Sequence, residues 1–388
     1  MTSDPLDLNL EQLGVGTVLD ALSDGVYITD PDRRIIAWNQ AAEKITGWKR
    51  EEVVGRSCWD DILVHIDKDN HALCGHEYCP LHRAIVTGKR SLSSLMVFAK
   101  NRAGERIPVE VTVSPLRDAG GRIVGGIEIF RDLGAMVRDL DRARIIQAHA
   151  LECPVPRDDR LRFGIHYIPQ ELVGGDFYRI ERIDPDRYAV MVADVVGHGI
   201  TSALFVMQIR SLWEEMRGDL RDPAGFMGKL GAQLHVLCSR DDYFATAVYT
   251  VIDASSGGIE YVNAGHPSPL IVRSGGFDRL EASGPMLGFA EGSCYTAAQA
   301  RLEPGDTLLL YTDGATEVFD AQDRELSEQG FMNLLAEQDL SKGESALKDI
   351  EERLLRYCNQ LRLPDDLTLI SVHMPLAAGG PTASGATR

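Results

Sequence analysis

The sequence predicts an α+β protein of two or three domains. The chain has 388 residues, more than one domain usually contains, and 44 % of them are hydrophobic, which is enough for separate buried cores. Short apolar runs bounded by turn residues predict strands in the first third of the chain. Longer apolar runs that end in aspartates predict buried strands in the second half. A segment of helical periodicity joins the two regions.

The first region is predicted to be a small α+β domain that covers residues 15–132. Two strands come first, short helices follow, and three more strands complete the domain. The five strands are expected at residues 25–30, 35–39, 94–100, 106–114 and 123–131. The segment resembles a PAS domain, and the stretches that carry the resemblance are residues 38–43, 45–48 and 51–55. The resemblance implies a sensor and dimerisation module, while the fold alone does not identify a ligand.

One segment of this region is rich in cysteine and histidine. Cys58, Cys74 and Cys79 are interleaved with four histidines, His65, His71, His76 and His82. Such a cluster could bind zinc or an iron–sulfur cluster, act as a redox switch, or be a packed set of reduced cysteines. The four-residue gap between Cys74 and Cys79 does not fit the usual Cys-x2-Cys knuckle. Flavin photochemistry is disfavoured, because the Arg and Gln that would hold a flavin do not follow Cys58.

A helix is predicted at residues 132–151, within a linker that we assign to residues 133–156. Pro154 and Pro156 follow the helix and would end it. Apolar residues recur on one face at intervals of three and four: Leu133, Met136, Leu140, Ala143, Ile146 and Ala150. This apolar stripe could form a coiled-coil seam between two chains or dock on the following domain.

Four aspartate motifs occupy the second half of the chain. Two of them end predicted buried strands at residues 188–196 and 307–312. A single aspartate in such a place is commonly a turn residue or a helix cap. Several together form a set of hard oxygen ligands that suits Mg²⁺ or Mn²⁺ better than zinc. The motifs are Gly-Gly-Asp-Phe-Tyr at 174–178, Ala-Asp-Val-Val-Gly-His-Gly at 193–199, Tyr-Thr-Asp-Gly at 311–314 and Asp-Asp-Leu-Thr at 365–368.

In this order the motifs resemble a bacterial SpoIIE/RsbU-type serine/threonine phosphatase of the metal-dependent PPM class, over about residues 140–375. Further matching stretches are Ile146-Gln147, Tyr167-Ile168-Pro169, residues 263–267 and Pro304-Gly305-Asp306. The resemblance implies two packed β-sheets flanked by helices over residues 157–376, with two Mn²⁺ or Mg²⁺ ions in the cleft between the sheets. It also implies hydrolysis of phosphoserine or phosphothreonine on a partner protein, an anti-sigma-factor antagonist of the STAS type.

The resemblance assigns roles residue by residue. Asp176 and Asp194 are the expected catalytic pair, with Asp194 bridging both ions. The expected metal ligands are Asp176, Asp194, the Val195 carbonyl, Asp313, Asp365 and Asp366, where Asp366 stands at a position that is often asparagine in the wider class.

Three departures from the family pattern affect the site. Val196 replaces a small serine, Arg179 stands where an aspartate is common, and no phosphate-binding arginine of the eukaryotic type is apparent. His198 is either a general acid or part of a tight turn that opens a helix at residues 200–216. His266 is interpreted as structural.

The amino-acid composition argues against two classes of binding partner. The net charge of −18 argues against a nucleic-acid surface and against anionic membranes. No apolar run approaches the ~20 residues that span a bilayer, so the chain is expected to be cytoplasmic, with a disordered tail at residues 377–388. A homodimer through the PAS domain and the linker helix is expected.

Two rival functions remain. The first is a non-catalytic scaffold, a pseudophosphatase, although all four aspartate motifs are present. The second is a cyclic-dinucleotide synthase, suggested by residues 174–177, which lack the glutamate of Gly-Gly-Asp-Glu-Phe.

Overall fold

A computed structural model describes residues 14–67, 71–74, 78–90, 95–197, 199–238, 243–360 and 362–376. The sequence analysis also made predictions about His198, His76 and the tail at residues 377–388, which lie outside the described residues. The chain divides into two compact units after Leu140, inside the helix that joins them. Each unit is described by itself.

The first unit is built on one five-stranded antiparallel sheet, in the order β2-β1-β5-β4-β3. The predicted strands are confirmed, and β4 continues beyond its predicted end because it stays paired with β5. The elements are α1 (Val15–Asp20), β1 (Gly25–Thr29), β2 (Ile35–Trp38), α2 (Gln40–Thr46), α3 (Arg50–Val53), α4 (Pro80–Thr87), β3 (Leu95–Lys100), β4 (Arg106–Arg117) and β5 (Ile123–Asp132).

One asparagine fixes the junction between β2 and α2. The buried Asn39 side chain accepts hydrogen bonds from the backbone N–H groups of Ala42, at 2.9 Å, and Val26, at 2.8 Å. It therefore caps the helix and ties it to the neighbouring strand. Gly47 ends the same helix in the left-handed conformation, with φ of 76°.

The second unit has two five-stranded antiparallel sheets. One has the order β13-β10-β9-β8-β7, and the other has the order β12-β11-β14-β15-β6. Its elements are α5 (Gly134–Leu151, shared with the first unit), β6 (Arg162–Ile168), β7 (Asp176–Arg182), β8 (Arg187–Val195), α6 (Ile200–Glu215), α7 (Pro223–Cys238), β9 (Ala245–Asp253), β10 (Gly258–Ala264), β11 (Leu270–Arg273), β12 (Gly276–Arg279), β13 (Ala298–Arg301), β14 (Thr307–Tyr311), α8 (Ser327–Leu335), α9 (Glu344–Cys358) and β15 (Leu367–His373).

Strand β8 shows why its sequence is apolar on both faces. Tyr188, Val190 and Val192 pack between the two sheets, whereas Met191 and Ala193 belong to the core beneath helices α6 and α7. Because side chains alternate along a strand, both sets are buried in turn. Helices α8 and α9 cover the outer face of the second sheet. The result is a helix–sheet–sheet–helix sandwich, which confirms the expected fold class.

Helix α5 begins at Gly134 and ends at Leu151, three residues before Pro154. Two residues of its apolar stripe are exposed, Met136 at 54 % and Ile146 at 64 %, while Leu133, Leu140, Ala143 and Ala150 are half-buried. A coiled-coil seam and docking on the following domain both stay predictions. Among the described residues, no helix has both the length and the apolar character needed to cross a bilayer.

Candidate active site

Two aspartates face each other at one end of the sheet that contains β7 and β8. Asp176 is the first residue of β7, and it is the direct register partner of Asp194 near the end of β8. Asp194 follows Val190 and Val192 in the alternation, so its carboxyl belongs to the face between the sheets. The antiparallel pairing thus places two carboxyl groups side by side at the edge of the inter-sheet core.

The opposite sheet holds Asp176 in place. Thr312, directly after β14, and Thr368, in β15, both donate their hydroxyl hydrogens to Asp176 Oδ2, at 3.0 and 2.6 Å. The Thr368 N–H donates in turn to Thr312 Oγ1 at 2.9 Å. Asp176 is 1 % exposed, and its other oxygen, Oδ1, has no hydrogen-bond partner among the described residues. One carboxylate oxygen is therefore fixed and the other is left to bind something else.

Three of the expected ligands line one cleft. Asp194, Asp313 and Asp365 share a cavity of about 410 Å³ whose rim includes Val196 and Phe244. Asp313 opens a short 3-10 helix directly after Thr312, and Asp365 precedes strand β15. Both therefore come from the second sheet, and the cleft combines carboxylates from the two sheets, as the family resemblance implies.

The crowding of carboxylates is visible in their pKa values. Burial first, and then the neighbouring Asp176, Asp313, Asp365 and Asp366, raise the pKa of Asp194 to about 10. Burial, followed by Asp365, raises the pKa of Asp313 to about 6. The pKa of Asp176 is raised as well, by burial and by Asp366. Such mutual repulsion is typical of a site that is stable only when cations neutralise it.

The donors fit a hard divalent cation, although they have not closed around one. Among the described residues, no trio of His, Cys, Asp and Glu side chains is spaced to hold an ion as it stands. The fit rests instead on the chemistry of the donors, which are all carboxylates, and on the unpartnered Oδ1 of Asp176. The same carboxylates raise one another's pKa values, so they are electrostatic neighbours whose negative charge a cation would offset.

Asp366 makes different contacts from Asp365. Its Oδ1 accepts the N–H of Gln170 at 2.6 Å, and its Oδ2 accepts the N–H of Gly175 at 2.5 Å. Both oxygens are thus engaged with backbone, and Asp366 is not among the residues that line the cleft. The structure favours a role for Asp366 in shaping the loop before Asp176, and its assignment as a metal ligand stays a prediction.

The remaining residues singled out by the sequence have identifiable contacts. Val195 donates its N–H to the Gly175 carbonyl at 3.1 Å, and its carbonyl as a ligand stays a prediction. The buried ring of His266 bonds Thr246 through Nδ1 at 2.8 Å, which agrees with a structural role. Arg179 donates to the Glu152 carbonyl at 3.0 Å, so this departure from the family pattern fastens the chain that follows helix α5.

Sequence reasoning missed one residue that bears on the site. Gln147 of helix α5 is 6 % exposed, and its side chain brackets the backbone of Gly174. Its Nε2 donates to the Gly174 carbonyl at 2.8 Å, and its Oε1 accepts the Gly174 N–H at 3.1 Å. A Cβ atom at Gly174 would lie 2.0 Å from the Tyr167 hydroxyl, so only glycine fits there. The sequence analysis identified Ile146-Gln147 as a family match, but it did not identify Gly174 as the hydrogen-bond partner of Gln147.

The cysteines of the first unit also come together. Cys58 and Cys79 belong to one buried cluster, and Cys74 lies next to them at the His65 backbone. None of the three forms a disulfide. They lie in a different unit from the aspartate cleft, and nothing in the cleft's chemistry uses them.

Comparison with known proteins gives the same order of domains. The profile of the family described as "Stage II sporulation protein E (SpoIIE)" matches residues 184–375, and the profile described as "PAS fold" matches residues 19–138. Phosphoserine phosphatase RsbP of Bacillus subtilis is 34 % identical over 184 residues, which cover 46 % of this chain and 45 % of RsbP. The chain thus spans about half the length of this relative.

Two more comparisons extend the likeness. Phosphoserine phosphatase RsbU of Bacillus subtilis is 26 % identical over 240 residues, which cover 60 % of this chain and 69 % of RsbU. Among solved structures, the SiaA-PP2C domain of Pseudomonas aeruginosa is 23 % identical, with a TM-score of 0.52. That match covers 62 % of this chain and 97 % of the SiaA domain, and at this identity it bears on the fold alone.

Proposed function

The chain carries a PAS domain followed by a SpoIIE-type phosphatase domain, and we propose that it is a PAS-regulated, metal-dependent protein serine/threonine phosphatase of the cytoplasm. The observation that carries the proposal is the pairing of Asp176 with Asp194, in a cleft that Asp313 and Asp365 complete. The relatives RsbP and RsbU are named phosphoserine phosphatases, which supports the reaction class.

The aspartates and threonines of the cleft have different roles in the proposed hydrolysis. Asp194, whose pKa is raised by burial and then by the other aspartates, would hold Mn²⁺ or Mg²⁺ together with Asp176, Asp313 and Asp365. When bound, such ions supply positive charge for the phosphoryl oxygens and acidify the attacking water. The threonine hydroxyls on Asp176 Oδ2 keep that carboxylate from turning, so that Oδ1 stays directed at its ligand.

The substrate we propose is a phosphorylated partner protein, a STAS-type anti-sigma-factor antagonist. The cleft is open at a rim formed by Val196, Phe244 and Pro364, which suits a phosphorylated side chain presented by a protein surface. We further propose that the chain works as a homodimer through the PAS domain and helix α5. Two exposed apolar residues of the α5 stripe, Met136 at 54 % and Ile146 at 64 %, support this arrangement.

The test is Asp194→Asn in the full chain. We expect turnover of a phosphorylated protein to fall by at least ~10²-fold, the scale of losing a preorganised electrostatic group. The fold should persist, because the change is nearly isosteric. Asp349→Asn, an exposed aspartate on α9, is the matched control and should keep full activity.

The same experiment separates the rival functions. Near-normal Mn²⁺-dependent activity in folded Asp194→Asn would refute the catalytic assignment. A wild-type chain that binds the phosphoprotein without hydrolysing it at saturating Mn²⁺ would indicate the pseudophosphatase scaffold. Turnover of a nucleotide would indicate the cyclase.

A further inference from the structure

A second cluster of chemically reactive side chains lies in the PAS unit, away from the aspartates. Cys58 and Cys79 are each 4 % exposed, and Cys74 is half-buried. Cys58 comes from the loop after α3, and Cys79 directly precedes α4. The connection between α3 and α4 therefore brings three thiols together, two of them fully buried, and nothing in the proposed hydrolysis requires them.

The thiols share neighbours. The Cys74 sulfur accepts the backbone N–H of His65 at 3.0 Å, and the Cys58 N–H donates to the Arg33 carbonyl at 3.1 Å. The Arg33 side chain bonds the Cys79 thiol. Burial, and then Glu128 and the other two thiols, raise the pKa of Cys58 above its usual range. The three sulfur atoms are thus close enough to oppose one another's ionisation.

Two buried polar groups beside the thiols have no partner in the described part of the chain. His65 is 3 % exposed and Glu128 is 1 % exposed, and their atoms Nε2 and Oε1 stand 3.5 Å apart without a hydrogen bond. The Arg33 atom Nη1 is likewise buried and unpartnered. A buried group of this kind destabilises the fold unless it is satisfied. An imidazole, a carboxylate and a thiol trio are together typical of a metal-binding site.

We propose that Cys58, Cys74 and Cys79 bind a transition-metal ion of the zinc type, with His65 as the fourth ligand and Glu128 orienting the imidazole. Thiolate and imidazole are the ligands that such borderline-soft cations prefer. A carboxylate behind a ligating histidine is the usual way to fix its ring. Binding displaces three thiol protons, and the divalent cation together with the Arg33 guanidinium offsets the charges of the three thiolates.

Two observations bear on the alternatives. As the side chains stand, no trio among the described residues is spaced to hold an ion, so the bound cation must draw the sulfurs inward. Burial and the nearby Cys79 raise the pKa of Cys74 to about 12. Thiols that stay protonated react slowly with oxidants, which disfavours a redox switch built on the free thiols.

The test begins with the wild-type full chain, purified anaerobically and dialysed against a weak chelator. We expect a single zinc or iron ion per chain that a thiol-modifying reagent releases to a colorimetric chelator. The ion should also be present in Asp194→Asn, which separates it from the phosphatase cleft. Folded wild-type protein that carries no thiol-released metal, even after addition of Zn²⁺, would overturn the proposal. Inorganic sulfide in the protein would overturn it in favour of an iron–sulfur cluster.

Cobalt substitution identifies the ligands. Co²⁺ added to the full chain should give a thiolate charge-transfer absorption that Cys74→Ser abolishes and that Cys294→Ser, an exposed cysteine of the other unit, preserves. Glu128→Gln should weaken metal affinity by about 10–100-fold while the absorption remains. Unchanged absorption in Cys74→Ser would refute the assignment. A failure of the phosphatase activity would not affect any of these readouts.

Discussion

Replacing Gln147 by methionine would separate helix α5 from the loop that carries Asp176. The side chain keeps its length but loses both hydrogen bonds to Gly174, which leaves one buried N–H and one buried carbonyl without partners. At ~1–3 kcal/mol for each of the two orphaned groups, the free energy of unfolding should fall by about 2–6 kcal/mol.

The loss should also reach the metal site. Gly174 lies two residues before Asp176, and the next residue, Gly175, bonds both Asp366 and Val195 through its backbone. A displacement of Gly174 is therefore transmitted to the start of β7. Because ligand positions must be held to within about 0.5 Å, we expect the apparent Mn²⁺ affinity to fall more than the activity at saturating Mn²⁺.

The assay is a Mn²⁺ titration of phosphatase activity in the full chain, together with denaturant unfolding. His149→Met is the matched control, since it puts the same side chain on an exposed position of the same helix. If Gln147→Met leaves both the unfolding free energy and the Mn²⁺ midpoint unchanged, the two hydrogen bonds to Gly174 support neither the fold nor the metal site, and the reasoning is wrong. A lower unfolding free energy with an unchanged Mn²⁺ midpoint would confine Gln147 to stability.

Three further predictions concern the linker, one ion pair and the unliganded cleft. Leu140→Glu introduces a charge into the apolar stripe that includes the exposed Ile146, so light scattering should show weaker dimerisation; unchanged assembly and activity would make the helix a passive tether. The Arg160 guanidinium holds the pKa of Asp158 below its usual 3.8, so the carboxylate stabilises the fold above that pH and loses its effect as pH falls. Asp158→Asn should therefore cost about 1–3 kcal/mol at pH 7 and less at pH 2, measured by thermal unfolding across that range, and an equal loss at both would exclude the ion pair as the cause. Because the pKa of Asp194 is raised to about 10, its contribution to stability falls as pH rises above its unfolded value, and Asn at this position should stabilise the EDTA-treated protein by roughly 1–4 kcal/mol at pH 8; equal unfolding temperatures of variant and wild type in EDTA would contradict this.

Much of the fold and part of the cleft could be predicted from the sequence. Alternation places Asp194 on the same face of β8 as Val190 and Val192, but because both faces are apolar only the structure shows that this face lies between the sheets. The separate roles of Asp365 and Asp366 could not be predicted, because neighbouring residues of one type point in different directions and only the pairing of β15 decides which enters the cleft.

Contacts between segments that are distant in sequence could not be predicted either. Gln147 and Gly174 are far apart in sequence, and an isolated glutamine carries no local signal for its partner. The cysteine segment suggested a site because cysteines and histidines cluster there, whereas the position of Glu128, on β5, beside this segment became apparent only in the folded sheet. Local periodicity is written into a sequence, whereas the meeting of two loops depends on the whole fold.

The threonine hydroxyls on Asp176 have a consequence for how this cleft can change. Asp176 and Asp194 come from one sheet, and the groups that hold Asp176 in place come from the ends of two neighbouring strands, β14 and β15, of the other. The rim at Val196, Phe244 and Pro364 takes no part in that support. New substrate preferences can therefore arise by exchanging rim residues while the acidic centre stays as it is, and engineered specificity should begin at the rim.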